Sequence, residues 1–310
     1  MRILSAQETA AALPYPQLIS KIRELFAAGV TAPLRHHHTL ANPQGQENTL
    51  LLMPAWQGQQ GYAGVKIANI HPDNAERGLP AVNASYLLFS ERTGEHLALL
   101  DGATLTAKRT AAASVLAASY LANPQADTLL VLGAGRMALA LVEAYSAVFP
   151  IKKILIWNRS SARAQSLIAE LANLGPWELV CAYDLPAAIA ESQIISSATL
   201  AKEPILKGAW LKAGQHVDLI GSFTPSMREA DDQAIQAANI YIDTEAALKE
   251  SGDLLAPLQA GILKPSDMRA TFYELCKLEQ NQHDPSRITL FKSVGHAVED
   301  LAAAIVAYES

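Results

Sequence analysis

Leu129-Leu130-Val131-Leu132-Gly133-Ala134-Gly135-Arg136-Met137-Ala138 is the stretch that decides the fold. Four apolar residues run as a strand into G-x-G-x-x-A, and a helix begins directly after it. Glycine at these positions permits a tight turn and lets backbone N–H groups approach a pyrophosphate, which a helix N-terminus stabilises. The motif alone is weak evidence. Its place between an apolar strand and a helix, at the head of an alternating βα region, makes it a dinucleotide-binding loop with Gly133, Ala134, Gly135, Arg136 and Met137 against the cofactor.

Working outward, the alternation continues through helix 136–149, strand 153–157, helix 161–174 and strands at 179–182, 193–197, 216–220 and 240–243. Such a pattern predicts a doubly wound parallel sheet of Rossmann type. The strand Ile154-Leu155-Ile156-Trp157 ends in Asn158-Arg159-Ser160, 25 residues after Gly133. An acidic residue there would accept the ribose hydroxyls of NAD, whereas a cation with neutral donors suits a 2'-phosphate. Asn158, Arg159 and Ser160 therefore favour NADPH, with NADH also admitted. Thr199, just beyond strand 193–197, falls at the carboxyl edge where dinucleotides lie in such sheets.

Upstream, a helix at 16–28 is followed by strand-like segments at 49–53, 62–68, 81–90 and 96–100, an α+β beginning. An alanine-rich helix over 105–121, stopped by Asn123-Pro124, joins the two parts. The chain is expected to return near its end to the first part, giving a domain of residues 1–115 with 288–310 and a Rossmann domain of 116–287.

With 310 residues, 50% hydrophobic and 17% charged, the chain is long enough and apolar enough to bury two cores. The net charge of −6 gives no basic footprint for nucleic acid or an anionic membrane surface. No apolar run approaches the length needed to span a bilayer, and the first residues lack a signal-peptide core, so a cytoplasmic protein is expected. Cys181 and Cys276 are too few for a disulfide framework and stand in no metal-ligand spacing. His36-His37-His38 cannot all converge on one ion from regular backbone, and no metal is expected.

Four cations outside the Rossmann region stand near turns or element ends: Arg35, Lys66, Lys108 and Arg109. If Thr106 caps the connecting helix, Arg109 lies in its first turn, where unpaired N–H groups already favour a carboxylate. Taken singly, such residues are usually surface or ion-paired.

The chain from about residue 30 resembles the ornithine cyclodeaminase/mu-crystallin family. The likeness lies in Gly64-Val65-Lys66, Gly78-Leu79-Pro80, Thr93-Gly94, Leu100-Asp101-Gly102, Leu105-Thr106-Ala107-Lys108-Arg109-Thr110-Ala111-Ala112, Leu132-Gly133-Ala134-Gly135, Trp157-Asn158-Arg159 and Phe291-Lys292-Ser293-Val294-Gly295. Ala198 to Leu206 and Glu245 to Asp253 place it nearer the ketimine reductase side. The resemblance implies a Rossmann domain plus a mixed α+β domain that binds substrate and forms a homodimer. It also implies that Arg35, Lys66 and Arg109 hold a substrate carboxylate, with Lys66 near the reacting nitrogen, and that Ser293 and Gly295 close over the nicotinamide. Asp300 matches a family acid able to orient a site cation. Cyclodeaminases carry an aspartate where this chain has Phe223, and a phenyl ring cannot exchange protons. The resemblance thus implies reduction of Δ1-pyrroline-2-carboxylate and Δ1-piperideine-2-carboxylate, cyclic imino acids, to L-proline and L-pipecolate. An ornithine cyclodeaminase, an alanine or other amino-acid dehydrogenase, and a non-catalytic NADPH-regulated binding protein are the alternatives.

Overall fold

The computed structural model describes residues 1–43, 45–58 and 61–310. The chain divides into two compact units, Met1–Thr110 with His296–Ser310, and Ala111–Gly295.

The first unit contains β1 (Arg2–Leu4), α1 (Ala6–Ala11), α2 (Tyr15–Ala28), β2 (His36–Leu40), β3 (Asn48–Trp56), β4 (Tyr62–Ile70), β5 (Val82–Ser90), β6 (His96–Asp101) and the start of α3 (Gly102–Leu121). Its sheet has the order β1-β6-β5-β4-β3-β2. Strands β2 to β6 run antiparallel, and β1 joins parallel to β6. Leu18, Ile22, Leu25 and Phe26 fall on one face of α2 and are all buried, and Gly29 ends the helix in the left-handed region. Met53, Lys66, Tyr86 and Leu100 stand side by side across β3 to β6, all buried. On the opposite face Leu52, Pro54, Val65, Leu87 and Leu99 are only half-buried, and Ile67 is 36% exposed. Strand β2 was not legible because all five of its residues are exposed at the sheet edge. With no buried face there is no period-2 apolar pattern to read. His36 and His38 share one face of this strand, their rings 6.5 Å apart, and His37 takes the other.

The connecting helix begins earlier than residue 105. It follows β6 without a loop, starting at Gly102, and Asp101 Oδ1 accepts the Thr104 N–H at 2.7 Å. Glycine is needed at this junction because a Cβ on Gly102 would lie 2.5 Å from the Ala84 carbonyl carbon and 2.6 Å from the Ser85 nitrogen of β5. Thr106 is therefore not the cap, and Arg109 sits in the helix interior, beyond the unpaired N–H groups of the first turn.

The second unit carries β7 (Thr128–Leu132), α4 (Arg136–Val148), β8 (Lys153–Trp157), α5 (Ser161–Leu171), β9 (Glu178–Cys181), α6 (Leu185–Glu191), β10 (Ile194–Ser197), β11 (His216–Leu219), α7 (Asp232–Ala237), β12 (Ala238–Ile242), α8 (Ala247–Glu250), α9 (Gly252–Gln259), β13 (Met268–Thr271), α10 (Phe272–Leu275) and β14 (Ile288–Lys292). The eight strands order as β9-β8-β7-β10-β11-β14-β12-β13, and every pair is parallel. This is the doubly wound sheet expected from the alternation. The chain works outward from β7 through β8 to β9, then returns to β10 on the other side of β7, so the topological switch point lies between β7 and β10.

The return to the first unit falls at Gly295/His296, later than residue 288. Residues 288–292 form β14, an interior strand between β11 and β12 with every residue buried, and only α11 (Ala297–Glu309) belongs to the first unit. There α11 packs on α2 and across β3 to β6. No helix among the described residues is long and apolar enough to cross a membrane.

Phe291 is fully buried in β14, its ring 5.2 Å from that of Phe272. Phe291→Ala is expected to cost about 3–5 kcal/mol through the cavity it leaves. Urea unfolding followed by circular dichroism measures this, and a loss near zero would contradict the placement of β14 in this core.

Candidate active site

At the end of β7 the backbone turns at Gly133, whose φ of 113° is open to glycine and strained for other residues. Its N–H donates to the Trp157 carbonyl at 2.8 Å, and a Cβ here would lie 2.9 Å from the Ala198 carbonyl oxygen. The loops after β7 and β10 thus meet at the switch point. Gly135 is the N-cap of α4 and offers no side-chain acceptor, while a Cβ built on it would meet nothing within 4 Å. An uncapped helix N-terminus fronted by open space at the carboxyl edge fits a dinucleotide pyrophosphate. Gly135 and Arg136 are exposed there, with Ala134 and Met137 half-buried.

At the end of β8, Asn158 donates through Nδ2 to the Ser160 carbonyl at 3.0 Å, and Arg159 and Ser160 are exposed. Ser160 is the N-cap of α5 and makes no side-chain cap bond. Thr199 does stand beside Gly133, but both its N–H and its hydroxyl donate to Glu229 Oε1, at 2.8 and 2.9 Å. Ser293 and Gly295 are buried and also face inward. The Ser293 hydroxyl and the Gly295 N–H donate to Asp243 Oδ2 at 3.1 and 2.8 Å, and the Val294 N–H joins them at 2.7 Å. Asp243 itself is fully buried at the end of β12. The polar groups at these three positions hold the loops in shape.

The first unit brings together the cations. Lys66, in the middle of β4, places Nζ 2.9 Å from each Asp300 oxygen. Arg109 Nε donates to Asp300 Oδ1 at 2.8 Å and a terminal nitrogen to Glu299 Oε2 at 2.6 Å. All four side chains are buried. Glu299 and Asp300 occupy the first turn of α11, where unpaired N–H groups stabilise carboxylates, and Glu299 Oε1 also accepts the His296 N–H at 3.2 Å. Arg35 is half-buried, and its charge reaches Lys66. Lys108 is placed differently, its ammonium 4.3 Å from the centre of the Tyr15 ring on α2, a cation–π contact.

Burial lowers the Lys66 ammonium to about 8; the Arg109 and Arg35 charges push the same way and Asp300 opposes them. Burial would lower Arg109 too, but Asp300 and Glu299 outweigh it and hold the guanidinium above its ordinary value. The buried cluster therefore pairs a permanent cation, Arg109, fixed by two carboxylates, with an amine able to exchange a proton near neutral pH, and Arg35 adds its charge at the edge. Tyr86, paired in register with Lys66, brings a buried hydroxyl with no hydrogen-bond partner among the described residues. Burial and the Asp300 charge push it well above the ordinary phenol range, so it stays protonated. Gly64 makes room for it, since a Cβ there would run into the Tyr86 ring. Sequence reading passed over Tyr86, which looks like any apolar strand residue, and over Asp243 and Glu229, which lie 50 residues from Ser293 and 30 residues from Thr199. Phe223, in the loop after β11, is 44% exposed.

Removing Asp300 would leave two buried cations short of their shared partner, so Asp300→Ala is expected to lose about 3–5 kcal/mol of stability. Chemical denaturation of the two proteins gives the difference, and a change under about 1 kcal/mol would mean the cluster is solvated.

A model of the ornithine cyclodeaminase/mu-crystallin family matches residues 4–310. A Δ1-pyrroline-2-carboxylate reductase of Paracoccus denitrificans is 39% identical over 283 residues, covering 87% of this chain and 88% of that protein. Among solved structures, Δ1-pyrroline-2-carboxylate reductase of Thermococcus litoralis in complex with NADH and L-proline superposes with a TM-score of 0.92 at 30% identity, covering 100% of this chain and 97% of that one. An archaeal alanine dehydrogenase dimer with bound NAD gives 0.88 at 28% identity, covering 100% and 95%. With the glycine loop at the switch point and the Lys66, Arg109 and Asp300 cluster in place, the match along nearly the whole length makes this chain a member of the ornithine cyclodeaminase/mu-crystallin family.

Proposed function

We propose that this protein is an oxidoreductase that reduces cyclic ketimines bearing a carboxylate, Δ1-pyrroline-2-carboxylate to L-proline and Δ1-piperideine-2-carboxylate to L-pipecolate, with NADPH preferred to NADH. The observation that carries the reading is the buried Lys66 amine, brought to about 8 and aligned by Asp300 beside Arg109. Reduction of a C=N bond needs an acid for the nitrogen and a fixed position for the substrate carboxylate. Arg109 supplies the second, because Asp300 and Glu299 engage Nε and one terminal nitrogen and hold the rest of the guanidinium in place for an incoming anion. Arg35 adds positive charge to the same cluster. Lys66 gives its proton to the imine nitrogen as the carbon is reduced. When bound, the dinucleotide supplies the hydride.

In the second unit Gly133 to Met137 hold the pyrophosphate, and Asn158, Arg159 and Ser160 take the ribose end. The absence of a carboxylate in that trio, with Arg159 exposed, supports NADPH. Thr199, Ser293 and Gly295 shape the nicotinamide side. Phe223 counts against cyclodeamination, since the loop after β11 offers no base at that position.

Steady-state kinetics with both imines and both reduced cofactors tests the reading directly. Turnover of neither imine by a protein that binds NADPH would refute it. Because Lys66 acts as the acid, kcat/KM is expected to fall as pH rises through about 8, and Lys66→Met should abolish turnover while leaving the NADPH Kd unchanged. Arg159→Ala should weaken NADPH about tenfold more than NADH, the value of one charge-assisted contact; equal losses would remove Arg159 from the 2'-phosphate.

The half-buried apolar face formed by Leu52, Val65, Ile67, Leu87 and Leu99 supports a homodimer through the first unit. Ile67→Lys combined with Leu87→Lys is expected to yield monomers by analytical ultracentrifugation, and an unchanged sedimentation coefficient would place any interface elsewhere.

A further inference from the structure

We propose that Glu229 is a positioning residue for the nicotinamide dinucleotide, setting the carboxyl-edge loops after β10 and β11 against the glycine loop; this rests on the dinucleotide reading above. Glu229 is fully buried and lies late in the loop after β11, from which its side chain turns back to the start of that loop and across to the loop after β10. Its Oε1 accepts the Ser197 hydroxyl at 2.6 Å and the Thr199 N–H and hydroxyl at 2.8 and 2.9 Å. Its Oε2 accepts the Gly221 N–H at 2.6 Å and the Ser222 N–H at 3.2 Å. Ser197 ends β10, and Gly221 and Ser222 follow β11, so one carboxylate ties together the loops of two adjacent strands.

The fit is close enough to exclude any side chain at residue 221. A Cβ on Gly221 would run into the Thr199 carbonyl oxygen and lie 2.5 Å from Glu229 Oε1. Thr199 in turn abuts Gly133, so a shift of the carboxylate is passed to the turn that faces the pyrophosphate. The carboxylate is itself held from behind. Asp253 Oδ1 accepts the Glu229 and Ala230 N–H groups at 2.7 and 3.1 Å, and Lys292 of β14 places Nζ 3.3 Å from Asp253 Oδ2. Burial pushes the Glu229 carboxyl above its ordinary value, with Lys292 opposing and Asp253 adding to the rise. Five N–H and O–H groups pointed at its two oxygens need the ionised, acceptor-only form.

Glu229→Gln keeps the shape and turns one of these oxygens into an NH2 that faces donors, which forces one loop away. The experiment is equilibrium titration of the full-length variant and wild type with NADPH and NADH, read by cofactor fluorescence, together with the imine KM at saturating cofactor. The expected result is a rise in both dinucleotide Kd values of about tenfold, the size of one lost charge-assisted hydrogen bond, with a shifted emission of bound NADPH and an imine KM within about twofold of wild type. A purely structural role would reduce the folded fraction and leave the Kd of the folded molecules and their emission unchanged, and that result overturns the proposal. Equal proportional losses in imine and dinucleotide affinity also overturn it. If Glu229→Gln does not fold, Ser197→Ala removes a single donor to the same carboxylate and is expected to raise both Kd values about threefold; an unchanged Kd overturns the proposal. A wild-type protein that binds neither dinucleotide sinks the functional reading, and this inference with it.

Discussion

One carboxylate, Asp300, holds the first unit's chemistry in place. It sits in the first turn of α11 and receives Lys66 from β4 and Arg109 from α3, so three elements from distant parts of the chain converge on two oxygen atoms. Two buried cations side by side repel each other, and without Asp300 the Lys66 amine would have no carboxylate to favour its charged form while Arg109 would keep only Glu299. The arrangement divides their properties. Arg109 stays permanently charged with Glu299 as a second partner, while Lys66, equally buried, with Asp300 alone and facing two guanidinium charges, loosens its proton.

The second unit uses the same device for another purpose. Asp243 and Glu229 are buried carboxylates whose partners are largely the backbone N–H groups of loops after β14, β10 and β11. A loop at the carboxyl edge of a parallel sheet has few apolar contacts to fix it. An ionised acceptor among its amides supplies strong, directional restraints instead. The surface presented to a dinucleotide is thus held from beneath by charges that do not reach it.

Much of this was legible in local sequence. The strands β7 and β8 are apolar runs bounded by turn residues, and the G-x-G-x-x-A at 133–138 fell where the structure turns from strand to helix. Lys66, Arg109 and Arg35 were singled out by motif, and they share one electrostatic cluster. Other features were not legible because their causes are not local. The start of α3 depends on Asp101 and on the closeness of the β5 backbone to Gly102. The assignment of β14 to the second unit depends on its neighbours β11 and β12, which an apolar pentapeptide does not announce. The inward turn of Thr199 and Ser293 depends on acids 30 and 50 residues away.

By itself the amino-acid sequence determined the parallel sheet, the glycine turn from strand to helix and the types of side chain available for chemistry, since periodicity, glycine freedom and charge are properties of short segments. Only the tertiary structure decided which acid meets which cation, which hydroxyls are spent on holding loops, and how tightly Lys66 keeps its proton. Those outcomes follow from burial and from distances between residues far apart in the chain, and electrostatic energies in a desolvated interior are set by such distances.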